Sequence, residues 1–361
     1  MQIRLWSFAN NGFLRNLCNS FPNSKHAPSE ILSLAHMIRT YITGRESSNS
    51  YPSRGRGCAG YHHGEILQGL CWSNDSRGTD PTPCLVTLPV SDIGSRAYFT
   101  ARGDQEIVVH PPAKRKAARA ARMTLDALGF GHLGGRLRVD CMLPTGLGLG
   151  SSTSDVLATM RAVCGALGCS LDAAEIAQLA VAAETASDPL MFDGIVLFAQ
   201  RKGQVLEEWG QWTPEYLLLS VNTQPHCSGV DTVGLPLPRS ASARSEYSAL
   251  LARARAGFLG RNAVEVAAVA TRSAELNQNH LPLPNFRALC SLAERNGCLG
   301  IQIAHSGTIA GLLFEPATQM ESLTSLNGQL RALRMEPRGF FRTGATYSVQ
   351  KASDVHNTSP K

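Results

Sequence analysis

The stretch Pro144-Thr-Gly-Leu-Gly-Leu-Gly-Ser-Ser-Thr153 decides how the rest of this sequence is interpreted. It follows a predicted strand, Arg136 to Met142, and opens a predicted helix from about Ser152 to Leu167. Three alternate glycines let the backbone approach an anion closely, in torsions that a side chain would forbid. Exposed N–H groups at the start of the helix then face a phosphate, aided by the helix dipole. The hydroxyls that end the stretch add polar ligands, one of which can reach a magnesium ion.

The glycine spacing differs from that of two common nucleotide-binding loops. A Walker A loop needs G-x-x-x-x-G-K-S/T, but Ser151 stands five residues after Gly146 and no lysine follows. A dinucleotide fingerprint needs a glycine three residues after Gly148, and that position is again Ser151. A glycine-rich turn with an N-cap would account for one glycine, but not for three and a hydroxyl cluster. The pattern therefore predicts a phosphate-binding loop of another kind.

Composition and charge exclude several classes of protein. The chain has 361 residues, 43% of them hydrophobic, enough to bury the core of one large domain or two. Its net charge is +6, but residues 1–57 supply most of it, with seven Lys/Arg against two acids. A nucleic-acid-binding protein carries its charge on a folded face, so we expect no nucleic-acid partner. No stretch approaches the roughly 20 apolar residues that cross a bilayer, so we expect no membrane partner.

The ten cysteines contain no C-x-x-C pair, and several stand inside apolar runs, as Cys164 and Cys290 do. This usage is typical of free thiols in a reducing cytoplasm, where we expect the protein to be located. It also argues against a zinc site, which needs paired ligands at short spacing. The sequence carries no signal for the oligomeric state.

Two further helices are predicted, one before the glycine-rich stretch and one after the helix that the stretch opens. The first is predicted over Ala113 to Leu128, and its basic run from Lys114 to Arg122 is interpreted as a solvated face, with phosphate binding as the alternative. The second begins at Ser170, whose hydroxyl is expected to cap it with help from Asp172 and Glu175.

The stretch from Pro144 to Thr153 resembles the second motif of the GHMP kinases, the superfamily of galactokinase and of homoserine, mevalonate and phosphomevalonate kinases. That motif is P-x-x-x-G-L-G-S-S-A, and Thr153 takes the place of the usual alanine. The resemblance implies ATP as phosphate donor and Mg²⁺ as metal ion, with Ser152 facing the metal. The implied ATP-binding residues are Pro144, Gly146, Leu147, Gly148, Leu149, Gly150, Ser151, Ser152 and Thr153.

Two further stretches are similar to one branch of that superfamily, the L-threonine kinases of cobalamin synthesis and propanediol utilisation. Gly64-Glu-Ile-Leu-Gln-Gly69 looks like the amino-terminal signature of the branch. Gly300-Ile-Gln-Ile-Ala-His-Ser-Gly-Thr-Ile-Ala-Gly311 is similar to its version of the third motif, which is glycine-richer in other GHMP kinases. The likeness covers about residues 58–345.

The resemblance also implies a fold, the two-domain α+β fold of the GHMP kinases. An ATP-binding domain like ribosomal protein S5 domain 2 is expected over 58–215, and a ferredoxin-like domain over 216–345, with the site in the cleft. The family contains a left-handed β-α-β crossover, an exception to the usual hand. Residues 1–57 are expected to form a basic, disordered extension, with a transit peptide or an over-long start as alternatives. Residues 346–361 are expected to form a disordered tail.

In the family, the region equivalent to Glu184–Gly194 carries an acidic magnesium ligand and an aspartate near the substrate hydroxyl. The resemblance therefore assigns Glu184, together with Ser152, to the metal, and Asp188 to catalysis at the hydroxyl. Asp188 either removes the proton or only orients and polarises the hydroxyl, because a loose transition state demands little base strength. A turn aspartate before proline and an exposed glutamate at a helix end are the structural alternatives.

An amino-acid substrate presents an ammonium, a carboxylate and a hydroxyl. Glu65 is a candidate partner for the ammonium, and the segment Ser306–Thr308 for the carboxylate or the transferring phosphate. His62, His63 and His305 are candidate donors, although each histidine alone is more often structural. The candidate substrate-binding residues are Glu65, Gln68, His305, Ser306, Gly307 and Thr308.

These expectations combine into an ATP- and magnesium-dependent kinase that phosphorylates the hydroxyl of a small metabolite. The branch resemblance implies L-threonine, converted to O-phospho-L-threonine for cobalamin side-chain synthesis. Homoserine kinase, or another GHMP small-molecule kinase, is the alternative within the class. A non-catalytic sensor of a nucleotide or metabolite is the alternative from another class, and the intact loop weighs against it. A hydrolase built on His305 and Ser306 is disfavoured, because no G-x-S-x-G elbow surrounds the serine.

Overall fold

The computed structural model describes residues 53–72, 81–141, 149–227, 234, 237–304 and 308–344. The tail from residue 346, the glycine-rich stretch up to Gly148 and the segment His305–Gly307 lie outside the described residues, as does nearly all of the extension. The described residues belong to one compact unit, which begins at Pro52.

Ten strands form one mixed sheet in the described part of the chain. They are β1 (Arg54–Cys71), β2 (Thr82–Arg102), β3 (Ile107–His110), β4 (Gly134–Cys141), β5 (Val196–Ala199), β6 (Gln204–Glu208), β7 (Leu217–Asn222), β8 (Gly300–Ile303), β9 (Ile309–Phe314) and β10 (Glu336–Arg342). The strand order is β10-β7-β9-β8-β1-β2-β4-β3, and β5 pairs with β2 and β6 off this path. The pairing of β3 with β4 is parallel.

Seven α-helices lie in the described residues. They are α1 (Arg115–Ala127), α2 (Ser151–Leu167), α3 (Ala173–Glu184), α4 (Ala241–Leu259), α5 (Ala263–Asn277), α6 (Phe286–Arg295) and α7 (Thr324–Ala332). A short 3₁₀ helix, Met320–Leu323, leads into α7. None of these helices is long and apolar enough to cross a membrane.

Two hydrophobic cores lie on opposite sides of β7. Leu218 packs with residues of α4 and α5, whereas its neighbours Leu217 and Leu219 pack with residues of α6 and α7. Successive side chains of a strand point to opposite faces of the sheet, so a continuous apolar run buries both faces. This strand therefore supports both layers of helices.

Helix α2 is the central helix of the amino-terminal half, with fourteen of its 17 residues buried. It lies directly on β1, because that strand presents glycines to it. A Cβ on Gly55 would lie 2.1 Å from the carbonyl oxygen of Ala162, and a Cβ on Gly57 2.1 Å from that of Ala158. Such distances exclude any side chain, so these glycines set how closely helix and strand approach.

Strand β1 is irregular where it passes the start of α2. Its pairing with β2 shifts register repeatedly between Ala59 and Leu67, and Glu65 pairs with Ile303 of β8 on the other side. Bulges of this kind turn side chains away from the regular alternation and are common beside functional sites. Here they redirect the segment that contains His62 and Glu65.

Three predictions need correction. Arg54–Gly57, placed in the disordered extension, form the start of β1 and pair with β2. Helix α3 is capped by Asp172 and not by Ser170, through a reciprocal capping box with Glu175. The basic run of α1 is not simply a solvated face, because the Lys114 ammonium forms a 2.5 Å ion pair with the buried Asp155.

The predicted domains 58–215 and 216–345 share the sheet, since β1 pairs with both β2 and β8. The boundary between them stays a prediction.

Candidate active site

The first turn of α2 begins at a glycine whose conformation and surroundings both exclude a side chain. Gly150, the N-cap, has φ 67° and ψ 17°. A Cβ at this position would lie 2.5 Å from Cδ2 of His62. The last glycine of the loop is therefore required by the left-handed backbone and by the imidazole beneath it. The helix then presents Ser152 and Thr153 to the chain that follows α3.

Glu184, the last residue of α3, accepts hydrogen bonds from that first turn. Ser152 Oγ donates to its Oε2 at 2.6 Å, and Thr153 Oγ1 donates to its Oε1 at 2.8 Å. Burial raises the pKa of Glu184 to about 7, although both hydroxyls oppose this shift. The ammonium of Lys116, an exposed residue, lies 3.9 Å from Oε2. Glu184 is thus a buried acid whose negative form a further cation would stabilise, and not an exposed helix-end residue.

The chain after α3 places Asp188 beside the first turn of α2, and the end of α3 is strained. Thr185 ends α3 with φ 77°, a value that side chains rarely adopt, at a cost of about 1–3 kcal/mol. Asp188 Oδ2 then lies 3.1 Å from Thr153 Oγ1, and the Asp188 amide donates to that oxygen at 3.3 Å. A hydroxyl has one proton to donate, so Thr153 donates a hydrogen bond to one carboxylate at a time. Its hydroxyl therefore lies as a bridge between Glu184 and Asp188.

His62 balances the charge of Asp188. Its Nε2 lies 3.0 Å from Asp188 Oδ2, and its Nδ1 lies 3.0 Å from the carbonyl oxygen of Gly64. Burial lowers the pKa of His62, but the negative charges of Asp188 and Glu65 raise it to about 9. The ring is therefore an imidazolium at neutral pH.

Ligand atoms of His62, Glu65 and Asp188 lie within 4.8 Å of one another, a spacing that could hold a metal ion. Metal ligation requires a neutral imidazole, whereas without a metal the neighbouring carboxylates favour the protonated form of His62. The three side chains are better described as an imidazolium between two carboxylates. The assignment of a metal ion to Ser152 and Glu184 stays a prediction.

Gln68 extends this group along β1. Its Nε2 donates to Glu65 Oε2 at 3.3 Å and to the carbonyl oxygen of Ile303 at 2.8 Å. The structure thus brings together the predicted residues Ser152, Thr153, Glu184, Asp188, Glu65 and Gln68.

The remaining predicted residues either make other contacts or lie outside the described chain. Thr308 is buried, and its hydroxyl donates to Asn222 Oδ1 at 3.0 Å. His63 is buried as well, and burial lowers its pKa to about 3, so that it is a neutral partner of Ser220 at 2.7 Å. The residues outside the described chain are Pro144, Gly146, Leu147, Gly148, His305, Ser306 and Gly307.

The chain is similar in sequence to one protein family and to two proteins of named function. The GHMP kinases N-terminal domain matches residues 115–192, which include α2, Glu184 and Asp188. An L-threonine kinase of Salmonella typhimurium is 31% identical over 273 residues, which cover 74% of this chain and 84% of that protein. An L-threonine kinase of Citrobacter freundii is 30% identical over 189 residues, 51% of this chain and 64% of that one.

Solved structures show the same fold at much lower identity. A homoserine kinase from Cytophaga hutchinsonii has a TM-score of 0.58 and 16% identity, covering 82% of this chain and 98% of that one. A galactokinase from Lactococcus lactis, complexed with galactose, has a TM-score of 0.58 and 12% identity, covering 86% and 98%. The predicted GHMP kinase fold is confirmed.

The charge pair of His62 and Asp188 predicts a pH dependence of stability. Because folding raises the pKa of His62 from 6.5 to about 9, the pair stabilises the protein fully below pH 6.5 and loses this effect as pH rises through about 9. His62→Gln should therefore cost at most about 3 kcal/mol of unfolding free energy at low pH, and progressively less towards pH ~9. Urea unfolding of both proteins across this range measures the difference.

Replacing the exposed His226 by glutamine is the matched control, the same change at a histidine on the surface. A His62→Gln cost that stays constant or grows as pH rises would contradict the assigned charge pair.

Proposed function

The chain belongs to the GHMP kinase family and is an ATP-dependent small-molecule kinase, and we propose that it phosphorylates the side-chain hydroxyl of L-threonine. The observation that carries the proposal is the 31% identity to an L-threonine kinase across 84% of that protein. The arrangement of Ser152, Glu184, Asp188 and Glu65 supports it, because each part of the reaction finds a residue of suitable chemistry.

The donors at the start of α2 fit a magnesium ion. Ser152 and Glu184 offer oxygen ligands, which Mg²⁺ prefers, and Glu184 is a buried carboxylate whose charge needs a cation. The bound ion supplies neutralisation of charge on the transferring phosphate. Residues Pro144 to Thr153 are proposed to hold the phosphates of ATP through backbone N–H groups, with Lys116 close by.

Asp188 is proposed to accept the hydrogen bond of the substrate hydroxyl. The Thr153 hydroxyl and the His62 imidazole both contact its Oδ2, at 3.1 and 3.0 Å, so that the position of this oxygen is set before the substrate binds. Since His62 is an imidazolium, its positive charge stabilises the ionised carboxylate of Asp188 and makes it less ready to take up a proton. This arrangement suits orientation and polarisation of the hydroxyl, which a loose transition state requires more than deprotonation.

Glu65 is proposed to bind the substrate ammonium. It is 2% exposed, lies beside Asp188 and is hydrogen-bonded by Gln68. A buried carboxylate is a suitable partner for a cationic group. The segment His305, Ser306, Gly307 and Thr308 is proposed to lie near the transferring phosphate. Cobalamin synthesis as the destination of the product, and the cytoplasm as its location, stay predictions from the sequence.

A panel of hydroxy amino acids tests the substrate. Steady-state transfer from labelled ATP to L-threonine, L-homoserine, L-serine and D-threonine should give the highest kcat/KM for L-threonine. Asp188→Asn should keep nucleotide binding and lower turnover by roughly 100-fold or more, because the hydroxyl loses its charged partner. Higher kcat/KM for L-homoserine would make the chain a homoserine kinase, and absence of any transfer would favour a sensor.

The hydroxyl of Thr153 should matter although related kinases usually have alanine there. Thr153→Ala leaves Glu184 and Asp188 without their shared partner, and hydrogen bonds to charged groups are worth about 1.5–3 kcal/mol. We expect kcat to fall roughly tenfold to a hundredfold, with KM for ATP nearly unchanged.

Thr153→Ser is the control, since it keeps the hydroxyl and should retain most of the wild-type kcat. Equal kcat for the alanine variant and the wild type would show that the bridge has no part in turnover.

A further inference from the structure

A cavity of about 70 Å³ opens beside the candidate active site. It lies where the end of β1 and the start of β2 meet the turn after β5 and the end of α5. Its polar lining consists of Gln68, Gln200, Arg201, Tyr247, Asn277 and His280, and most of its other lining residues are apolar. At roughly 15 Å³ for each water-sized volume, the cavity accommodates about five waters, enough for part of a small metabolite.

Two separate connections join this cavity to Asp188. The first runs through Gln68, which lines the cavity and donates to Glu65 Oε2 at 3.3 Å, while Glu65 lies beside Asp188. The second runs through the backbone, where the amide of Ser187 donates to the carbonyl oxygen of Gln200 at 3.0 Å. Two residues that line the cavity, Gln68 and Gln200, are therefore hydrogen-bonded to Glu65 and Ser187, which are neighbours of Asp188 in space and in the chain.

The residues that line the cavity favour one kind of ligand. None of the lining residues that the structure describes is acidic, and Arg201 contributes a guanidinium, a cationic group with several N–H donors. Asn277 Nδ2 is a buried donor with no hydrogen-bond partner among the described residues. Burial lowers the pKa of His280, which favours its neutral form. A guanidinium with amide donors around it is suited to a carboxylate.

We propose that this cavity holds the carboxylate of the amino-acid substrate and that Arg201 is the residue that binds it. The inference rests on the proposed function, because it presupposes an acceptor with an ammonium at Glu65 and a hydroxyl at Asp188. It adds a binding site for the third polar group of the substrate, the carboxylate. It also explains how the site would distinguish an amino acid from an amino alcohol of the same shape.

The test compares L-threonine with (R)-1-amino-2-propanol, which is L-threonine with a hydrogen in place of the carboxylate. In the wild type, kcat/KM should favour L-threonine. Arg201→Gln should reduce the ratio of the two kcat/KM values roughly tenfold to a hundredfold, through a higher KM for L-threonine, while KM for ATP changes little. Lys202→Gln is the matched control, because Lys202 is the next residue and its ammonium binds Thr82 at 2.9 Å.

Asn277→Asp is a second variant, nearly isosteric, that places a negative charge in the cavity. It should weaken L-threonine binding as well, measured by calorimetry in the presence of ADP, and thermal unfolding of each variant checks that it is folded. An unchanged ratio in Arg201→Gln, with L-threonine turned over normally, would overturn the cavity assignment alone. A wild type that neither binds nor phosphorylates any hydroxy amino acid would overturn both this inference and the proposed function.

Discussion

The hydrogen bonds from the first turn of α2 to Glu184 and Asp188 are the interactions on which this site depends. Two buried or half-buried carboxylates repel each other, and water cannot screen them fully. Here Ser152 and Thr153 donate to them, the positive end of α2 faces them, and the imidazolium of His62 pairs with Asp188. The same charges that would destabilise an empty site are those that a magnesium nucleotide and a cationic substrate would neutralise.

The rest of the fold holds this turn in place. Glycines of β1 allow α2 to lie directly on the strand, and the nearly complete burial of α2 leaves its amino terminus little freedom to move. The bulged part of β1 brings His62 and Glu65 to the same point from the other side. The positive φ of Thr185 directs Asp188 back to Thr153. Strain and close packing are therefore concentrated around a few side chains of opposite charge.

Much of this could be predicted from the sequence, because short-range rules determine it. Apolar periodicity and turn residues place several helices and strands within a few residues, and α2, predicted from about Ser152 to Leu167, is found over Ser151–Leu167. The family motifs identify Ser152, Glu184 and Asp188. Contacts between distant segments could not be predicted: Thr153 looked like a small departure from alanine, and His62 like one of three equivalent histidines. Their roles depend on bulges and on a strained helix end, which leave no periodic pattern.

The most direct test of the account is whether the start of α2 and Glu184 hold a magnesium nucleotide. Calorimetric titration with a non-hydrolysable ATP analogue should show saturable one-site binding to the wild type that requires Mg²⁺. Glu184→Gln should keep the fold but lose most of that magnesium dependence, since a neutral amide cannot replace a carboxylate ligand. No saturable binding, or the same affinity with and without Mg²⁺ in the wild type, would contradict the central claim.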